Sequence, residues 1–357
     1  VHVLFASCLL LVFAVGIAAQ QGTVASEVVH GKSLENTATK ENPDRNVAVY
    51  LPPSYESSLS RRFPVLYLLH GIADTEKTWL RNWTDKTTGY EGLPAVMDKG
   101  IEHGTFGEFI VVMPDQRTNL FGSFYVNSSA TGNWADFTAK ELVSFIDGKY
   151  RTIADREHRA VAGHSMGGYG AITLGMKHPE VFSVVYGMNP AIMDWGGDLT
   201  IEQPGFRTVL EAKSPEDLMQ TRSVFVLGAV TVCQAFSPNA SKPPFFCDHP
   251  FRIEDDRLVP SEPGFSKWAE HSPIRMVPRY RENLAKLEAI KFDSGSEDEF
   301  RFIPINSRLL SNALMNNGIK HVFEEYNGDH RNRIWGRSGR MVNEVLPFVW
   351  EHIRPEA

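Results

Sequence analysis

The chain has 357 residues, 42% of them hydrophobic and 22% charged, with a formal net charge of −7. That balance excludes a disordered chain, which lacks the apolar content for a core. The acidity, with no basic run, excludes a phosphate-backbone binder, so no nucleic-acid partner is expected.

Residues 1–17 (VHVLFASCLLLVFAVGI) carry no Asp, Glu, Lys or Arg and are followed by Ala18, Ala19, Gln20 and Gln21. The pattern predicts a signal peptide over 1–19, and with it a secreted or periplasmic protein. The run is shorter than the roughly 20 residues that span a bilayer, so no stable membrane span is expected. It lacks a positively charged start, and an uncleaved anchor or a lipid on Cys8 is the alternative. Residues 20–44 are polar and read as a leader with at most an early strand. Residues 45–357 read as the folded domain.

Residues 45–51 (RNVAVYL) alternate and stop at Pro52 and Pro53, which suits an edge strand. Residues 63–69 (FPVLYLL) and 109–113 (FIVVM) are nearly continuous apolar runs, as in strands buried on both faces of a parallel sheet. Residues 137–150 have apolar positions at helical spacing. Residues 159–162 read as a strand, 170–178 as a helix ending before Pro179, and 182–186 and 223–227 (SVFVL) as further strands. Strands at 290–292 and 321–326 complete an α/β pattern with a mainly parallel core.

Between about 190 and 285 the pattern loosens, and prolines, charges and two cysteines gather there. This stretch reads as an insertion over the carboxyl ends of the strands, with residues 280–287 helical. In an exported chain the pair predicts a Cys233–Cys247 disulfide. Sequons stand at Asn82, Asn127 and Asn239. No C-x-x-C, H-E-x-x-H or P-loop pattern occurs, so no metal or cofactor is expected.

The chemistry concentrates at Gly163-His164-Ser165-Met166-Gly167-Gly168, a G-x-S-x-G between a predicted strand and a predicted helix. Small residues flank the serine because the backbone turns sharply there. The turn presents the Ser165 hydroxyl at the sheet's tip, beside a helix N-terminus. A serine hydroxyl attacks only when a base takes its proton. In this arrangement acid and histidine follow the serine in the chain. His330, after the last strand, is the expected base; His321 and His352 read as structural. The acid lies within residues 290–299 (IKFDSGSEDE). Asp298, in the loop past Gly295, is favoured, with Asp293 and Glu297 as alternatives. It would fix the histidine tautomer rather than take a proton. The oxyanion needs two backbone N–H donors, expected from Met166 and from Ile72 in Leu68-Leu69-His70-Gly71-Ile72. His70 is expected to brace that loop. Trp79, Trp134, Trp195 and Trp268 are candidates to line the substrate site, each with ordinary core packing as its rival role.

These motifs together resemble the esterase D-like family of α/β-hydrolases, which includes feruloyl and acetylxylan esterases, S-formylglutathione hydrolase and mycolyltransferases. The matching pieces are LLHG at 68–71, VVMPD at 111–115, residues 140–171, GSED at 295–298, NGDH at 327–330 and Trp335. The resemblance covers about residues 45–190 and 285–353. It implies an α/β-hydrolase fold, a G-x-x-D acid at Asp298, and Ile72 and Met166 as oxyanion donors. The expected activity is a secreted serine carboxylesterase acting on small-molecule or carbohydrate esters. An acyltransferase to a sugar hydroxyl shares the acyl-enzyme and is the nearest alternative. A catalytically silent binding protein on the same fold is a third. The sequence does not give the oligomeric state.

Overall fold

The computed structural model describes residues 21–81, 92–336 and 339–356. The predicted signal peptide and the Asn82 sequon lie outside these residues.

Eight strands form one sheet: β1 (Thr23–His30), β2 (Asp44–Leu51), β3 (Val65–Leu69), β4 (Ile110–Pro114), β5 (Arg159–His164), β6 (Val184–Met188), β7 (Ala289–Gly295) and β8 (Val322–Tyr326). Their spatial order is β1-β2-β4-β3-β5-β6-β7-β8. β1 pairs antiparallel with β2, and β2 with β4; every other pairing is parallel. The apolar runs explain the centre. Val65, Tyr67 and Leu69 of β3 enter one core while Leu66 and Leu68 enter the other. Ile110 and Val112 of β4 likewise oppose Val111 and Met113. At roughly 1.5–3 kcal/mol per large apolar side chain buried, these strands anchor the loops at their ends.

Helices flank the sheet: α1 (Leu93–Glu102), a helical stretch over 134–149, α2 (Met166–Lys177), α7 (Phe302–Asn316) and α8 (Leu346–Ile353). The inserted region supplies α3 (Pro204–Glu211), α4 (Pro215–Gln220), α5 (Val224–Phe236), α6 (Gly264–Glu270) and a hairpin of Phe251–Glu254 with Arg257–Pro260. Cys233 of α5 bonds to Cys247, with Cα atoms 5.6 Å apart.

Three expectations change. Residues 45–51 form an interior strand rather than an edge, because the polar segment before them supplies β1, whose residues are mostly exposed or half-buried. Residues 223–227 are not a strand but the start of α5. Ser223 caps that helix, its Oγ accepting from Val226 N–H at 3.4 Å, and the helix runs for 13 residues, longer than a typical strand. Helix in the 280–287 stretch is confined to Arg281–Leu284.

Candidate active site

β3 and β5 lie side by side, with Leu69 opposite Gly163. β3 sits between β4 and β5, so the chain departs in opposite directions from its two sides. The carboxyl ends at such a reversal leave a crevice open to ligands. The Gly71-Ile72 loop leaves β3 there, and Ser165 leaves β5.

Ser165 has φ 57° and ψ −116°, a backbone shape rare outside glycine. It is held by its N–H, which donates to Met188 O at 2.9 Å, and by its carbonyl, which accepts from Ala191 N–H at 3.0 Å. The tight turn explains the glycines around it. A Cβ on Gly163 would sit 2.3 Å from Gly167 O, and one on Gly167 would sit 2.2 Å from Leu69 O. Only glycines let α2 start this close to β3 and β5.

His330 follows β8, and Asp298 follows β7. His330 Nδ1 donates to Asp298 Oδ2 at 2.7 Å, and both side chains are buried. Asp298 Oδ1 also accepts from Phe300 N–H at 2.8 Å. The two loops are stitched by backbone: Ser296 N–H donates to Tyr326 O at 2.8 Å and Glu297 N–H to Gly328 O at 2.9 Å. Burial pushes the Asp298 carboxyl up to about 7 and the His330 imidazole down to about 4. Asp293 and Glu297 stand elsewhere. Asp293 is buried on β7 and accepts from Tyr186 Oη and Arg340 Nε, each at 2.7 Å. Glu297 is exposed.

Ser165, His330, Ile72 and Met166 border one cavity. No hydrogen bond joins Ser165 Oγ to the imidazole among the described contacts; such bonds often tighten only when substrate binds. Neither the Ile72 nor the Met166 N–H donates to another group among the described residues, which leaves both free for an oxyanion. His70 bears out its expected bracing role. Its Nδ1 donates to Gly71 O at 2.8 Å, and its Nε2 accepts from Gln116 N–H at 2.9 Å. Burial lowers its pKa and keeps it neutral. Because a peptide's C=O and N–H point in opposite directions, anchoring Gly71 O also aims the Ile72 N–H.

The tryptophans divide. Trp268 borders the cavity. Trp195 stacks behind it, ring centroids 5.6 Å apart. Trp79 and Trp134 do not reach the cavity. Trp79 is buried in the opposite core against Trp335, and Trp134 packs on Phe137 beneath the Arg45 guanidinium. The core needed their area more than a ligand did.

Two buried residues not singled out from the sequence hold the histidine loop. His164 Nε2 donates to His330 O at 2.8 Å. Asn189 Nδ2 donates to Tyr326 Oη at 2.8 Å and to His330 O at 3.2 Å, while its Oδ1 accepts from Gly295 N–H at 2.7 Å. His164 lay within the G-x-S-x-G motif; Asn189 had no signal beyond following a strand.

Comparison with known proteins is consistent with this arrangement. A family model described as putative esterase matches residues 38–338. The chain belongs to the putative esterase family. Within curated proteins, it is 32% identical over 161 residues to an endo-1,4-beta-xylanase/feruloyl esterase of Xylanibacter ruminicola, covering 44% of this chain and 21% of that protein. It is 36% identical over 150 residues to an esterase of Mycobacterium tuberculosis, covering 41% and 28%. An S-formylglutathione hydrolase of Mus musculus is 27% identical over 188 residues, covering 46% and 60%. The matches therefore span between about a fifth and three-fifths of these relatives' lengths. Among solved structures, a ferulic acid esterase superposes with a TM-score of 0.60 at 24% identity, over 93% of this chain and 98% of that one. An S-formylglutathione hydrolase from Agrobacterium tumefaciens gives 0.55 at 16% identity, over 94% and 97%. The putative esterase family member thus has the α/β-hydrolase fold.

Proposed function

We propose that the chain is a secreted serine carboxylesterase that hydrolyses acyl or aryl esters, carbohydrate-linked ones among them. One observation carries the reading: the 2.7 Å His330–Asp298 hydrogen bond places an oriented imidazole on the same cavity as a serine in a strained strand-to-helix turn. The family, with relatives named as feruloyl esterase, supports the ester chemistry.

In this reading Ser165 Oγ attacks the ester carbonyl as its proton passes to His330 Nε2. The tetrahedral oxyanion is held by the N–H groups of Ile72 and Met166, each such donor being worth about 3 kcal/mol. Collapse breaks the ester C–O bond, and the imidazolium gives its proton to the departing alcohol. Water then attacks the acyl-serine, its proton going to His330, and the acid leaves with Ser165 restored. Asp298 keeps Nδ1 protonated and stabilises the imidazolium throughout.

Export rests on the apolar run over 1–19 and on the disulfide, a bond of oxidising compartments. No helix among the described residues is long and apolar enough to cross a membrane. The catalytic domain is assigned to 45–357, preceded by β1 and interrupted at about 190–285 by the insertion. The reading is tested by incubating the purified protein with a fluorophosphonate and mapping the adduct. Modification of Ser165 together with turnover of nitrophenyl esters is expected. An unlabelled Ser165 and no ester turnover would refute it.

A further inference from the structure

A cavity open to solvent lies over Ser165. Its floor is the site already described. Its wall comes from the insertion and from α7, and there the lining is apolar: Leu199, Phe206 of α3, Phe225 and Val232 of α5, Trp268 of α6 and Phe302 of α7. Among the described residues, no Ser, Thr, Tyr, Asn or Gln borders the cavity apart from Ser165 itself. The indole N–H of Trp268 offers no donor to the cavity, because it is engaged by Ser237 Oγ at 3.1 Å. Among the described residues, the charged side chains on the lining beyond the histidines are Asp74 and Arg331. Both belong to loops at the carboxyl ends of the strands, one beside the Gly71 turn and the other next to His330, and Arg331 is exposed.

The distribution is one-sided, with charge at the loops and hydrocarbon along the insertion. A substrate group lying on that wall finds dispersion contacts and, among the described residues, no side-chain hydrogen-bond partner. A hydroxyl carried there would lose its water without replacement, which disfavours binding. The alcohol of an ester must depart before the acyl-enzyme hydrolyses, so it is assigned to the side bordered by the loops that carry Asp74 and Arg331. The acyl group stays bonded to Ser165 and takes the wall.

We infer that the insertion wall is an acyl site for groups apolar to their far end, such as an aliphatic chain or an unsubstituted aryl ring, and that it discriminates against acyl groups ending in a hydroxyl. The inference rests on the esterase reading and narrows its substrate class. Leu199, Phe206, Phe225, Val232 and Trp268 are then specificity-determining residues supplied by the inserted stretch.

The test is a kcat/KM series on the full chain with constant leaving groups. From acetate through butyrate to hexanoate nitrophenyl esters, kcat/KM should rise by about fourfold per added methylene until the wall is filled. Methyl cinnamate should be hydrolysed on the order of 10- to 100-fold more efficiently than methyl p-coumarate, which differs by one terminal hydroxyl. Val232→Thr, which adds a hydroxyl at nearly constant volume, should narrow that ratio. A flat chain-length profile, or p-coumarate or ferulate preferred over cinnamate, overturns the inference while leaving the esterase intact. Absence of turnover on every ester together with an unlabelled Ser165 overturns both.

Discussion

His164 Nε2 donates to the backbone carbonyl of His330 at 2.8 Å, and the two rings lie 4.6 Å apart between centroids. The residue before the expected nucleophile therefore holds the loop of the expected base. A carbonyl only accepts, so Nε2 carries the proton. Burial pushes the His164 imidazole well below its usual range and keeps it neutral. His164→Phe would retain the ring and remove the donor. A displaced His330 should lower kcat roughly 10- to 100-fold with little change in KM, read by steady-state kinetics on a nitrophenyl ester. Unchanged kcat would show that the bond does not position the base.

Asn189 bridges Gly295, Tyr326 and His330, joining the loops of the acid and the base. Asn189→Ala leaves the buried Gly295 N–H without its partner. The expected loss is about 1–3 kcal/mol of stability, seen as a Tm lower by roughly 2–10 °C. Activity per folded molecule should fall as well. A wild-type melting curve would contradict the assignment.

Asp298 and Asp293 are separable by substitution. Asp298→Asn removes the carboxylate that fixes the His330 tautomer, and kcat should fall by about 10⁴-fold with the fold retained. Asp293→Asn should act on stability instead. Its carboxylate faces Arg340 Nε at 2.7 Å, and Arg340 also pairs with Glu324 at 2.7 Å. Removing one partner of a buried pair costs about 3–5 kcal/mol. Melting curves and kcat on both variants check the division; a chemical defect confined to Asp293→Asn would reverse the roles.

The pH dependence follows from the buried Asp298–His330 pair. The competent state has Asp298 ionised and Nε2 unprotonated. Burial raises Asp298 to about 7, so adding a proton to the pair as pH falls through that region removes the competent state. Activity should therefore be high above about pH 7 and decline below it. A kcat/KM profile against pH measures this. Full activity at pH 5 would contradict it.

The disulfide closes a sequence separation of 14 residues and anchors α5, which lines the cavity. Replacing Cys233 and Cys247 together by serine should destabilise the chain by about 3 kcal/mol, measured by denaturant melts. Equal melts for the two proteins would show that the bond does not constrain the unfolded chain.

Much of this was legible in the sequence because the signals are local. The runs at 63–69 and 109–113 are apolar on both faces, as only interior parallel strands need to be. Gly163 and Gly167 mark a turn that no larger residue fits. What stayed hidden depends on distant parts of the chain. β1 alternates too weakly to announce itself, so its neighbour looked like an edge. The SVFVL run reads as a strand on its own, but it is the first turn of a helix that continues to Phe236. Trp79 and Trp134 are core residues, and nothing in their neighbourhoods separates them from Trp268. Asn189 earns its contacts only after three loops converge.

Ser165 and His330, the latter oriented by Asp298, are proposed to act as one unit, and non-additivity tests that most directly. The measurement is kcat for Ser165→Ala, His330→Ala and the double variant on one ester, with folding verified by melting curves. A unit predicts that each single change lowers kcat by about 10⁴- to 10⁶-fold and that the double variant is no slower than the worse of the two. Losses that multiply in the double variant, or near-normal turnover in either single one, would contradict it.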